Sequence, residues 1–175
     1  MRLVARLRDD VAAVRRGDPA ARGSFEIVLL YSGLHAIWAY RVTSRLWRVR
    51  PFVGARFVAR LLSQLTRSLT GIEIHPGARI GDRLFIDHGM GVVIGETAVV
   101  GHDVLLYHGV TLGGRGTGTA SRRHPTLGDR VIVGAGAAVL GAISVGADAR
   151  VGAGAVVTHD VAAGTTVVGV PARPL

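Results

Sequence analysis

Two grammars in one chain predict a parallel β-solenoid preceded by an α-helical segment. From Ile74 an aliphatic residue returns every sixth position: Ile74, Ile80 and Ile86, then Ile94, Val100, Leu106 and Leu112 in a register shifted by two. Leu127, Val133, Val139, Val145, Val151 and Val157 continue it without a miss. Six is even, so it preserves the in–out alternation of a strand, and it does not keep a helix face. Before residue 71, apolar residues return at three- and four-residue steps instead, the mark of amphipathic helices. A unit of one short strand and one turn buries its aliphatic column only by stacking on its neighbours, which makes a solenoid. The expected division is a helical domain at 1–70 and a repeat domain at 71–175.

Leu3, Val4, Leu7, Val11 and Val14 define the first helix, which Gly17 ends. Asp18-Pro19 then reads as the opening of a new helix, with Asp as cap and Pro at the first helical position. A long apolar helix covers Phe25 to about Val49, bent near Ser32-Gly33, and Arg50-Pro51 marks a break. A further helix carries Phe57, Val58, Leu61, Leu62 and Leu65 on one side and runs to Thr70-Gly71. Within the repeats, apolar residues also fall four positions after the aliphatic column, at Val131, Ala137, Ile143, Ala149, Ala155 and Val161. Between Leu112 and Leu127 the spacing is fifteen where two regular units would take twelve. The intervening GGRGTGTASRRHPT reads as a projecting loop at about 113–126.

The chain has 175 residues and no cysteine, which excludes disulfides, thiolate metal sites and a cysteine nucleophile. Its net charge of +9 lies entirely in residues 1–70, with thirteen arginines against four acids, whereas residues 71–175 balance eight against eight. These arginines are scattered through apolar-periodic helices, with no basic run or reading motif, so nucleic-acid binding is not expected. The N-terminus lacks the uninterrupted apolar core of a signal peptide. FEIVLLYSGLHAIWAY is too short and too polar to span a membrane. A cytoplasmic protein with no membrane partner is expected.

The stretch IDHGMGVVIGETA places Asp87, His88 and Glu96 in an otherwise apolar run, where burying ionisable groups without partners costs several kcal/mol, roughly. An imidazole beside carboxylates suits general-base chemistry near neutral pH, worth roughly 10²–10⁴-fold in rate. A neighbouring carboxylate can fix the tautomer of such a base and stabilise the imidazolium it becomes.

The strings DPAAR, GLHAIWAYRV, GIEIHPGARIG, IDHGMGVVIGETA, VLLYHGVTLGG, RRHPTLGD, GAGAAVLG and VVGVPAR span Asp18 to Arg173, nearly nine-tenths of the chain. Together they closely resemble serine O-acetyltransferases of the hexapeptide-repeat acyltransferase family. The bare repeat is common to the superfamily; DHGMGVVIGETA with RHPTLGD is specific within it. The resemblance implies a left-handed parallel β-helix (hexapeptide-repeat solenoid) of triangular section with an N-terminal α-helical domain, trimeric, with active sites between neighbouring subunits. It implies transfer of acetyl from acetyl-CoA to the hydroxyl of L-serine, the first step of cysteine synthesis, with no metal.

By the same resemblance the general base is His88, and its orienting carboxylate is Glu73, where relatives often carry Asp. The serine-binding positions map to Asp18, Asp87, Arg123 and His124. By charge, the two aspartates suit the substrate ammonium and Arg123 its carboxylate. Acetyl-CoA is expected along the groove between subunits, against Gly113, Gly114, Ala135, Arg150, Ala153 and Arg173. Glu96, His102 and His108 are left outside the catalytic set; the last two, six apart, fall on neighbouring faces and need not meet.

Three rival readings remain open. An O-acetyltransferase of the same fold could act on a sugar, antibiotic or other amino acid, although Asp18, Asp87 and Arg123 suit a zwitterion. A zinc carbonic anhydrase on a related β-helix needs three converging histidines with an H-x₄-H pair, and no two histidines here are five apart. A non-catalytic interaction scaffold would dispense with His88 and Glu73, and both are present. Relatives often have a longer helical region that joins two trimers, so a homotrimer is expected here with a hexamer as the alternative. The chain stops directly after VVGVPAR at Pro174-Leu175, so the resemblance does not extend to a complex with O-acetylserine sulfhydrylase.

Overall fold

A computed structural model describes residues 2–49, 53–116 and 122–175. Four helices come first: α1 (Arg2–Gly17), α2 (Ser24–Leu30), α3 (Ser32–Arg48) and α4 (Val53–Thr70). The bend expected near Ser32-Gly33 is a break at Tyr31, which leaves helical geometry at φ −87° and ψ 99°. Asp18-Pro19 opens no helix. Asp18 instead accepts the Ala20 N–H on its own Oδ1 at 2.8 Å and closes a local turn, the alternative that Asp side chains offer a backbone. Arg50-Pro51 lies outside the described residues.

Each coil of the solenoid then contributes three short strands. The first holds β1 (Glu73–Ile74), β2 (Arg79–Ile80) and β3 (Phe85–Asp87); the second β4 (Val93–Ile94), β5 (Val99–Val100) and β6 (Leu105–Tyr107). The third holds β7 (Thr111–Gly113), β8 (Thr126–Leu127) and β9 (Ile132–Val133); the fourth β10 (Ala138–Leu140), β11 (Ser144–Val145) and β12 (Arg150–Val151). β13 (Val156–Val157), β14 (Thr166–Val168) and an antiparallel β15 (Arg173–Pro174) finish the stack. They assemble into three sheets, β1-β4-β7-β10-β13 (sheet A), β2-β5-β8-β11 (sheet B) and β3-β6-β9-β12-β14-β15 (sheet C), and so a three-sided column.

The six-residue column lines the interior, where Ile94, Leu106, Leu112, Val133 and Val139 are all fully buried. Each such side chain contributes roughly 1.5–3 kcal/mol relative to exposure. Two irregularities follow from the pairing. Val93 stacks on Thr111 eighteen residues later, the regular coil, but Glu73 stacks on Val93 twenty residues later. The two extra residues fall in the turn after β3, where His88, Gly89 and Gly91 all take left-handed φ. Thr111 stacks on Ala138 twenty-seven residues later. The excursion therefore replaces a single six-residue unit on passing from sheet A to sheet B, and inserts nine residues where the spacing alone suggested three beyond two units.

Helices α3 and α4 close the open end of the column. Gly33 sits so near β3 that a Cβ there would lie 2.3 Å from the Ile86 carbonyl oxygen. Tyr40 donates to the Ala78 carbonyl at 2.7 Å and Ser63 to the Ile74 carbonyl at 2.9 Å, which satisfies backbone acceptors that no further coil would reach. The expected apolar side of α4 faces away from its own chain. Ala55, Ala59 and Ser63 pack inward, while Phe57, Val58, Leu61, Leu62 and Leu65 are exposed, Phe57 by 71%. The charges of the repeat region cancel in part along the B/C edge, where Arg83 forks onto Asp103 at 2.6 and 2.7 Å and Arg130 onto Asp148 at 2.7 Å. Among the described residues no helix is long and apolar enough to cross a membrane.

Candidate active site

The two-residue surplus after β3 turns His88 outward at the C/A edge, with φ 59° and its side chain 78% exposed. A left-handed non-glycine residue costs of order 1 kcal/mol or more and persists only where its surroundings impose it. Here Gly91 N–H is tied to the Gly71 carbonyl at 2.9 Å, and Ser32 donates to the His88 carbonyl at 3.2 Å. Asp87 ends β3 with Oδ1 3.9 Å from His88 Nε2. The break between α2 and α3 leaves Tyr31 facing Asp18, and its hydroxyl donates to Asp18 Oδ2 at 2.5 Å.

Asp18, Tyr31, Ser32, Asp87 and His88 therefore share one cleft of about 210 Å³. The Tyr31 hydroxyl first, then the Ala20 N–H, hold the Asp18 carboxyl below its ordinary value, and the reciprocal effect raises Tyr31 to about 12. Two carboxylates and an imidazole around a small polar space can hold an ammonium and accept a proton from a group beside it.

Arg123 and His124 are not in that cleft. They stand at the A/B edge, where the excursion returns to the column. His124 is 6% exposed, and its ring lies over Gly95, at which a Cβ would sit 2.0 Å from Cδ2. Thr97 binds its Nδ1, and Arg123 Nη2 lies 4.0 Å from Glu96 Oε2. Burial first, and then the Arg123 charge, lower the His124 pKa.

Glu73 is not hydrogen-bonded to His88. Its carboxylate faces α4, with Arg67 at 3.4 Å, Gln64 Nε2 at 3.4 Å and Arg60 at 3.9 Å. The nucleotide-binding expectations divide in the same way. Ala135 and Ala153 lie above His88 on the C/A edge, in a ladder where Gly109 N–H bonds Met90, Gly136 N–H bonds His108 and Gly154 N–H bonds Ala135. Gly136 and Gly154 have open space where a side chain would project, so an extended ligand can approach the backbone there. Arg150 and Arg173 lie exposed on sheet C, while Gly113-Gly114 begin the excursion at the A/B edge.

Sequence reasoning missed three neighbours of these residues. Tyr31 was hidden in a helix that had merely been expected to bend. Thr97 had no signal beyond its place in GETA. His108 indeed lies away from His102, but its ring meets His88 edge-on at 5.9 Å between centroids. The twenty-residue first coil, legible in the register shift, would have found it. No group of three or more metal-ligating side chains occurs among the described residues.

No protein-family model matches the chain. It is 59% identical over 162 residues to a serine acetyltransferase of Helicobacter pylori, covering 93% of this chain and 92% of that one. A solved structure of the serine acetyltransferase of Neisseria gonorrhoeae in complex with serine superposes with a TM-score of 0.91 at 41% identity, over 99% of this chain and 69% of that one. One from Brucella abortus in complex with coenzyme A gives 0.92 at 41%, over 99% and 67%.

Proposed function

The chain belongs to the serine acetyltransferase family, and we propose that its acetyl transfer runs by direct attack of the L-serine hydroxyl on acetyl-CoA with His88 as the general base. The fold is the left-handed β-helix of that family, and the activity is acyl transfer giving O-acetyl-L-serine and CoA. The observation that carries the residue assignment is the cleft shared by Asp18, Asp87 and His88.

The substrate ammonium sits between Asp18 and Asp87, and its hydroxyl points to His88. As the hydroxyl oxygen attacks the thioester carbonyl carbon, His88 takes its proton; when the tetrahedral adduct collapses, the C–S bond breaks and the proton passes to the departing sulfur. Such assistance is worth roughly 10²–10⁴-fold. Glu73 is assigned as the orienting carboxylate by its place in the family strings; to act on His88 its carboxylate must turn from Arg60, Gln64 and Arg67, which engage it in this structure. Arg123 grips the serine carboxylate as a fork and His124 adds a further donor. The small turns at Ala135 and Ala153 admit the pantetheine arm, Gly113-Gly114 line it from the other side, and Arg150 and Arg173 screen phosphates.

Those partners stand on two edges of one column, and this supports a site built between two copies. The C/A edge of one chain supplies Asp18, Asp87 and His88, and the A/B edge of its neighbour supplies Arg123 and His124. A homotrimer in the cytoplasm, committing serine to cysteine synthesis, is the arrangement proposed. The outward apolar face of α4 supports association, since exposed patches of this kind mark contact surfaces. The helical segment at 1–70 and the β-helix at 71–175 then act as one unit.

The test is CoA thiol release from acetyl-CoA with L-serine, D-serine, homoserine, threonine or no acceptor, beside His88→Ala. Release should depend on L-serine and fall by at least about 10²-fold in the variant. A folded, CoA-binding protein that ignores serine would leave an acyltransferase with another acceptor.

A further inference from the structure

Thr97 makes four hydrogen bonds at the A/B edge, and all of them converge on two residues of the excursion. Its hydroxyl accepts the Arg123 N–H at 3.1 Å and the His124 N–H at 3.1 Å. The same oxygen lies 2.8 Å from His124 Nδ1, and the Thr97 backbone N–H donates to that Nδ1 at 3.2 Å. A threonine hydroxyl offers one donor and two acceptor sites. Both acceptor sites are filled by backbone N–H groups, so its proton goes to Nδ1. The backbone N–H can only donate, and it points at the same nitrogen. Two independent donors thus require Nδ1 to be an unprotonated acceptor, which puts the ring proton on Nε2.

Nε2 has no hydrogen-bond partner among the described residues. Nε2 is thereby the ring nitrogen left for a group from outside the described residues, and it is not one of their buried unpartnered atoms, where Arg60 Nη1 stands alone. The corner is shaped for this ring, because a side chain at Gly95 would collide with it, its Cβ 2.1 Å from Nε2. The imidazole is held on one side and presents a single N–H donor on the other, next to the Arg123 guanidinium.

We propose that Thr97 is a positioning residue for acetyl transfer: it locks His124 as the neutral Nε2–H tautomer and ties Arg123 to the same point, so that the pair meets the serine carboxylate as a fixed set of donors. The inference rests on the serine reading for its substrate, but not for the lock itself. A free imidazole would divide its proton between two nitrogens, and part of the population would offer a lone pair to an anion.

Ring nitrogen spectra of the full chain labelled at histidine, with His124 assigned by its loss in His124→Gln, read the tautomer directly. At pH 7 the wild type and Thr97→Ser should show Nδ1 unprotonated and Nε2 protonated, and Thr97→Val should lose that single-tautomer signature. In CoA release, Thr97→Val should raise the KM for L-serine by roughly tenfold or more, the scale of a lost hydrogen bond to a charged group, and leave the KM for acetyl-CoA unchanged. Thr97→Ser should restore the serine KM, which a purely structural role for the methyl group would not allow. A proton on Nδ1 in the wild type, or an unaltered serine KM in a folded Thr97→Val, overturns the proposal. If Thr97→Val does not fold, the wild-type spectrum and the Thr97→Ser kinetics decide it. A wild type without serine-dependent release would refute the functional reading, while the spectra still report on the lock.

Discussion

Asp18 keeps its charge further into acid than an ordinary aspartate because the Tyr31 hydroxyl and the Ala20 N–H both donate to the ionised form, with a smaller contribution from His88. Its stabilising effect is therefore present above the usual aspartate range and fades only as pH falls through the lowered value. In a carbon-detected titration, Asp18 should have its midpoint below 3.8 in the wild type. Tyr31→Phe should move that midpoint up towards 3.8 and raise the serine KM; coincident curves would contradict the role given to Tyr31. At this scale the sequence was informative about chemistry and poor about partners. The motif around His88 marked Asp87 and His88, and Asp18 was marked by the family strings. Tyr31 and Thr97 escaped because their importance lies in hydrogen bonds made across thirteen and about twenty-seven residues, which no local pattern records.

Among the elements, the first A/B turn half-buries a histidine that should show in the pH dependence of stability. His75 accepts the Gly77 N–H on Nδ1 at 3.0 Å and meets the Trp47 ring edge-on at 5.0 Å, with Arg56 stacked on the far partner at 5.2 Å. Burial first, then the charge of Arg60, lower its pKa from 6.5 to about 4. Between those values the unfolded chain binds a proton that the folded one refuses, so stability falls as pH drops through that window. For a half-buried ring the loss is on the order of 1–2 kcal/mol. Denaturant midpoints for His75→Asn should decline less than wild type between pH 6.5 and 4; parallel curves would show that His75 stays unstrained there. His124, lowered by its own burial, adds to the wild-type slope, and the variant isolates the share of His75. The elements also show why periodicity succeeded and where it stopped. Every aliphatic from Ile86 to Val157 in the six-residue column is buried, because a stacked coil has one inside. Helix α4 defeats the same logic: its apolar stripe was legible, but a sequence does not say whether such a stripe seeks its own core or another chain. The excursion was legible as a loop, and its true size emerged only from the pairing of Thr111 with Ala138.

For the molecule as a whole, we propose that one chain carries two incomplete half-sites, one on the C/A edge and the other on the A/B edge, and that a neighbouring copy completes each. The family strings marked both halves, but the three-sided wrapping that separates them is set by coil length and the nine-residue insertion. The measurement that tests this most directly uses two single variants, His88→Ala and Arg123→Ala, each assembled alone and then dissociated, mixed and reassembled. Serine-dependent CoA release should be low for either variant alone. In the whole reassembled mixture, made at equal amounts, it should recover to roughly a quarter of wild type, the share of sites that random assortment within a closed ring gives two intact halves. Mixed oligomers that form and yet recover nothing would place both halves within one chain and contradict the account.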